Sequence, residues 1–180
     1  MRRLLLLIVS AVTFAGLWIA PGPASAAPDC TATWGSLPKT SQARPFATLT
    51  GVRAGRHECF DRLVFDIAGP VTGYHVGYVE RVVMDGSGAL VPLRGGAALS
   101  ISLNAPAHDD AYNATYHPGD RAELADVRDY RTFRQVAWAG SFEGQTTVGL
   151  GVRARLPFQV HTLTGPGSGS RIVVDVAHTW

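Results

Sequence analysis

Only two cysteines, Cys30 and Cys59, occur in the 180 residues. That excludes a disulfide-dense scaffold and an all-cysteine zinc site. An excess of one charge is also missing. Setting aside Arg2 and Arg3, which belong to an N-terminal leader, 14 basic residues stand against 14 acidic ones. A neutral body without a basic stripe excludes a nucleic-acid binder. Charged residues make up 17% and hydrophobic residues 46%, and no low-complexity tract is long enough for a disordered chain. No segment shows an apolar stripe at helical spacing, although 120–130 has room for a turn or two of helix.

Catalytic signatures are absent too. The six histidines form no His-Glu-x-x-His pair. No Gly-x-Ser-x-Gly elbow sits between a strand and a helix, and the Gly/Ser-rich 165–170 stretch precedes a strand, where a phosphate loop precedes a helix. His108-Asp109-Asp110, the one close cluster of histidine and carboxylate, reads as a solvated loop, and Glu58, Glu80, Glu123 and Glu143 fall at strand ends or turns. No catalytic residue, metal ligand or cofactor is therefore assigned. A wall hydrolase with an unrecognised carboxylate site remains the enzymatic alternative.

What is present begins with an export signal. Arg2-Arg3 precede an apolar run over 4–20, Pro21-Gly22-Pro23 breaks it, and Ala24-Ser25-Ala26 offers a small-x-small cleavage site. This is the anatomy of a secretory signal peptide over 1–26, with a retained membrane anchor as the alternative. After its removal no membrane span is expected. Export brings Cys30 and Cys59 into oxidising surroundings, where one bridge is expected and two free thiols are the alternative. An irregular lead-in follows over 27–43, then one domain over 44–180.

Short β-branched and aromatic segments fill that domain, each bounded by Gly, Pro or Asp. Strands are expected over 46–54, 62–68, 73–80, 89–93, 98–104, 131–142, 145–153, 157–163 and 170–177. Nine strands with turns between them predict an all-β sandwich of two mainly antiparallel sheets. Asp61-Arg62-Leu63-Val64-Phe65-Asp66-Ile67 echoes Ser170-Arg171-Ile172-Val173-Val174-Asp175-Val176, and Tyr74-His75-Val76 echoes Phe158-Gln159-Val160. The echoes suggest an approximate internal twofold repeat.

Alternation along a strand converts the echoes into faces. Leu63, Phe65, Ile67, Ile172, Val174 and Val176 point to the core, with Tyr74, Val76, Phe158 and Val160. Arg62, Asp66, His75, Gln159, His161, Arg171 and Asp175 point outward and form the candidate binding face. If the two echoed strands are neighbours, an antiparallel register sets Arg62 opposite Asp175 and Asp66 opposite Arg171, whereas a parallel one sets Arg62 beside Arg171. Such outer pairs are expected to be exposed and cheap to remove. Trp34, Tyr74, Trp138, Phe142 and Phe158 are expected mainly in the core, and Tyr112, Tyr116 and Tyr130 are the candidates for exposed aromatics.

The order of motifs resembles the AMIN-like domain of secreted actinobacterial proteins, a relative of the AMIN targeting module of cell-wall amidases. The matching motifs are Asp61–Asp66, Gly73-Tyr74-His75-Val76, Asp85-Gly86-Ser87-Gly88, Gly140–Gly144 with Gly149-Leu150-Gly151, Pro157–Val160 and Arg171–Val176. The resemblance spans about 44–178. It implies a non-catalytic sandwich that binds peptidoglycan or another envelope component. A protein partner held at a sheet edge is the further alternative.

Overall fold

The computed structural model describes residues 30–180, and the signal-peptide reading of 1–26 lies outside them. Alternating β-branched and aromatic residues form β1 (Lys39–Ser41), β2 (Thr48–Arg56), β3 (Phe60–Ala68), β4 (Tyr74–Val79), β5 (Val82–Val83), β6 (Leu90–Val91), β7 (Ala97–Leu103), β8 (Phe133–Phe142), β9 (Gln145–Val152), β10 (Phe158–Thr164) and β11 (Ser170–Ala177). All nine expected strands are present, with ends shifted by no more than two residues. The additions, β1 and β5, have three and two residues, too few for alternation to mark them. No helical turn forms in 120–130. That segment lies along the outer edge of β8 instead, where Trp138 N–H donates to Arg121 O at 2.7 Å and Leu124 N–H to Val136 O at 2.8 Å. It covers part of an edge that would otherwise be open to another strand.

Two antiparallel sheets pack into a sandwich. One has the order β1-β4-β7-β9-β8 and the other β10-β11-β3-β2. Leu63, Phe65, Ile67, Ile172, Val174 and Val176 are buried between them, with Phe158 of the same sheet and Val76, Leu99, Ile101, Val148 and Leu150 from the facing sheet. Each such side chain contributes roughly 1.5–3 kcal/mol of burial. The core positions read from alternation are therefore the core positions of the fold.

The echoed strands β3 and β11 are antiparallel neighbours, with Asp175 opposite Arg62 and Arg171 opposite Asp66. The second echo separates: β10 lies beside β11, while β4 belongs to the five-stranded sheet. A twofold relation therefore does not extend to the sandwich as a whole.

The segment read as an irregular lead-in links the two sheets. Cys30 is bridged to Cys59, Trp34 packs edge-on against Phe60 with centroids 5.7 Å apart, and Gly35 O accepts from Phe158 N–H at 2.9 Å. The chain then crosses to pair β1 with β4.

Gly149-Leu150-Gly151 has a packing explanation. Leu150 points into the core, so both glycines face outward beneath the arm that carries β5 and β6. A Cβ on Gly149 would lie 2.9 Å from Leu93 Cδ1, and one on Gly151 would lie 2.0 Å from the Arg94 carbonyl oxygen. Backbone cannot yield as a side-chain end can. Gly151→Ala is thus expected to lower the unfolding free energy by about 2–3 kcal/mol, as an overpacked site does. A chemical denaturation curve matching the parent would refute the close-approach explanation.

Candidate binding face

The outer surface of the four-stranded sheet is a lattice of three rows. Cross-strand register aligns Gly55, Arg62, Asp175 and Gln159 in the first, Arg53, Val64, Val173 and His161 in the second, and Gly51, Asp66, Arg171 and Leu163 in the third. Six of the seven residues assigned to a binding face from sequence fall in this lattice. His75 does not. It lies on β4 in the other sheet, exposed, with Nδ1 3.1 Å from Thr40 Oγ1.

In the first row, Arg62 donates to both oxygens of Asp175, at 2.7 and 2.8 Å. Gln159 Nε2 donates to Asp175 Oδ2 at 3.2 Å, and His161 Nδ1 lies 3.8 Å from the same oxygen. The Asp175 side chain is fully buried, while that of Arg62 is 27% exposed. The hydrogen bonds to Asp175 hold the Arg62 guanidinium above its ordinary pKa, against the opposing effect of burial. The Arg62 guanidinium carbon also sits 5.1 Å from the centre of the Phe60 ring. Expected as an exposed and dispensable pair, Arg62–Asp175 is instead a partly buried one. Removing the arginine would leave a buried carboxylate with Gln159 as its remaining hydrogen-bond donor.

The third row behaves differently. Asp66 stands opposite Arg171, yet its carboxylate turns to Arg53, which donates to both oxygens at 2.9 and 3.1 Å. The absence of a side chain on Gly51 allows this, since a Cβ there would lie 3.1 Å from Asp66 Oδ2. The hydrogen bonds to Asp66 raise the Arg53 pKa. Arg171 is left without an ion pair among the described residues, and its Nε–H is buried with no acceptor. One of the two cross-strand pairs anticipated from sequence forms, and the other gives way to a diagonal pair.

Arg53, His57, Arg62 and Arg171 surround a shallow hollow of about 220 Å³ floored by Val64 and Val173, with Leu163 at its side. The floor valines are 5% and 1% exposed although they lie on an outer face. Long arginine stems beside them account for this burial. Two of the three guanidiniums are neutralised by Asp66 and Asp175. The hollow keeps one positive charge in excess, at Arg171. Its geometry suits an oxyanion attached to a compact apolar group, because a guanidinium fork can meet a carboxylate in two parallel hydrogen bonds.

A family model described as the AMIN-like domain matches residues 47–178. The chain belongs to this family. Membership of the AMIN-like family indicates a cell-wall-related targeting or binding module of non-catalytic type. The AMIN-like match includes all three rows of the lattice and all six of the clustered residues. No curated protein and no solved structure gives a significant match. The disulfide is consistent with an extracytoplasmic location. Among the described residues no helix is long and apolar enough to cross a membrane.

Arg53 and His57, which help to build the hollow, were missed from sequence because neither lies in an echoed segment. Alternation along β2 places Arg53 in phase with the outer row and was the available signal. Of the aromatics expected to be exposed, Tyr112 is 82% exposed. Tyr116 packs against Trp138 and Tyr130 stacks on Phe133, both at the margin of the core. Trp34, Tyr74, Trp138 and Phe158 are half-buried or buried as expected, whereas Phe142 is 50% exposed.

Proposed function

We propose that this protein is an exported, non-enzymatic module that binds cell-wall peptidoglycan through the outer face of its four-stranded sheet. Arg171 is the primary anchor, taking a carboxylate of muramic acid or of a stem peptide. Asp66, Gln159 and His161 frame the position and accept or donate to sugar hydroxyls and peptide groups, while the buried Asp175 holds Arg62 in place. The observation that carries this reading is the unpaired Arg171 guanidinium beside an apolar floor, within a domain of a wall-related family. A guanidinium used only for folding would be expected to find a partner, as Arg53 and Arg62 do.

The test is co-sedimentation with purified sacculi. Arg171→Gln removes no ion pair, so its stability should stay within about 1 kcal/mol of the parent, while the pelleted fraction falls to background. Arg62→Gln is the contrasting variant, expected to lose about 2 kcal/mol or more because it strands Asp175. A folded Arg171→Gln variant that pellets like the parent would exclude this face. Release of soluble wall fragments by the parent would favour the hydrolase reading.

A further inference from the structure

Away from the lattice, a cleft of about 460 Å³ opens between the 44–47 segment, the 104–110 loop and the tip of the β8–β9 hairpin. This volume lies in the range of small-ligand sites. Phe46, 63% exposed, lines it, as does His108, whose ring carries Tyr112 stacked at 5.0 Å and 20°. Arg44, Asp110 and Glu143 bring charges of both signs, all exposed and all without an ion pair among the described residues.

Two backbone positions set this cleft apart. Among the described residues, Tyr112 (φ 61°) and Glu143 (φ 49°) are the non-glycine residues with left-handed backbone; Glu143 lines the cleft, and Tyr112 stacks on the His108 ring that lines it. Glu143-Gly144 closes the two-residue turn between Phe142 and Gln145 with both φ values positive. Asn-Gly is the favoured pair for such a turn, so glutamate there is a compromise of local preference. Tyr112 is held by a dense set of bonds. Asp109 Oδ1 accepts from Ala111 N–H at 2.9 Å and Asn113 N–H at 2.8 Å, and Asp109 O accepts from Tyr112 N–H at 3.0 Å. Hydrogen bonds from Asn113 keep the Asp109 carboxyl below the usual carboxylate range. The loop thereby fixes a tyrosine ring in solvent rather than burying it. Backbone strain gathered at one cleft points to use of that cleft.

We propose that this cleft is a second binding site, for a short peptide bearing both an ammonium and a carboxylate group. Asp110 and Glu143 would take the ammonium, Arg44 the carboxylate, and the Phe46 and His108 rings the aliphatic part between them, with Tyr112 stacked behind His108. Unpaired charges of both signs favour such a ligand over a neutral sugar, which needs neither. The site shares no residue with the Arg171 hollow, so either can fail alone.

The probe is the tripeptide Lys-Ala-Ala with free termini, titrated into isotopically labelled protein to about 10 mM, the weak-binding regime. Saturable shifts of the Gly144 and Gln145 amides are expected. C-terminal amidation of the probe and Arg44→Gln should each weaken binding about tenfold, one contact's worth, and their combination no further. Glu143→Asn should weaken the probe similarly while raising Tm by a few degrees, since it relieves the turn. A second reading comes from chitotriose, a neutral sugar. Shifts with chitotriose and not with the peptide would overturn the proposal. So would an absence of shifts with the peptide, equal binding of the fully capped peptide, or a Glu143→Asn variant that binds as the parent does.

Discussion

Replacing Asp61 with alanine is expected to cost about 4 kcal/mol of folding stability, a large share of the 5–15 kcal/mol typical of a domain. Asp61 is fully buried at one end of the sandwich. Its Oδ2 accepts from the backbone N–H groups of Thr132 at 2.6 Å and Phe133 at 3.0 Å, and its Oδ1 lies 3.1 Å from His178 Nε2. The other ring nitrogen of His178 faces Glu58 O at 3.1 Å, and Arg153 donates to the His178 carbonyl. Alanine would strand two backbone donors and a ring nitrogen, each costing roughly 1–3 kcal/mol when buried without a partner. Asp61→Asn keeps an acceptor for the backbone groups and should fall between the parent and alanine. Urea unfolding with an unchanged m-value would give that order. A loss below about 1 kcal/mol for alanine would show that the end of the sandwich reorganises around the site.

The second large effect concerns the bridge beside this network. Cys30 and Cys59 have Cα atoms 5.0 Å apart and lie 29 positions apart in the chain. Closing a loop of that length constrains the unfolded chain, and loss of the bridge is expected to cost about 3–4 kcal/mol. At 2–4 °C per kcal/mol for a chain of this size, the Cys30→Ser/Cys59→Ser variant should melt roughly 10 °C lower. The bridge also adjoins the Asp61 network, because Cys59 O accepts from His178 N–H at 2.9 Å and Cys30 O from Thr179 Oγ1 at 3.2 Å. Adding Asp61→Asn to the serine variant should therefore give a non-additive loss, as expected of neighbouring sites. A reduced protein that melts with the oxidised one would contradict this account. Free thiols in protein freshly isolated from its source would contradict the proposed export to an oxidising compartment.

Where alternation operates over a long strand, the sequence was legible. Leu63, Phe65 and Ile67 alternate with Arg62, Val64 and Asp66, which located the core face and the outer face, and the opposite charges at Arg62 and Asp175 pointed to the antiparallel register that the neighbouring strands adopt. The same alternation puts Asp61 and His178 on the core side, in phase with Leu63 and Val176, and so marks a buried carboxylate and a buried histidine by phase alone. Neither residue was assigned a face from the sequence. Contacts decided by side-chain reach were less legible. Register set Asp66 opposite Arg171, but Gly51 freed Asp66 to meet Arg53, a diagonal choice that no period encodes. His75 has the phase of Gln159 and the same flanking pattern, yet its strand joined the other sheet, because a local echo does not specify which sheet a strand enters. The glycines of β9 looked like motif residues and are contact points for an arm whose own two-residue strands leave too little pattern to read.

The central claim is that wall polymer meets the outer face of the β10-β11-β3-β2 sheet. Amide shift mapping with solubilised peptidoglycan fragments addresses it most directly, because it reports position as well as binding. The expected perturbations centre on Val64, Arg171, Val173 and the neighbouring positions of β10, and they vanish in Arg171→Gln. Perturbations centred on the outer face of the five-stranded sheet around His75, or none at all while intact sacculi still pellet the protein, would contradict the account.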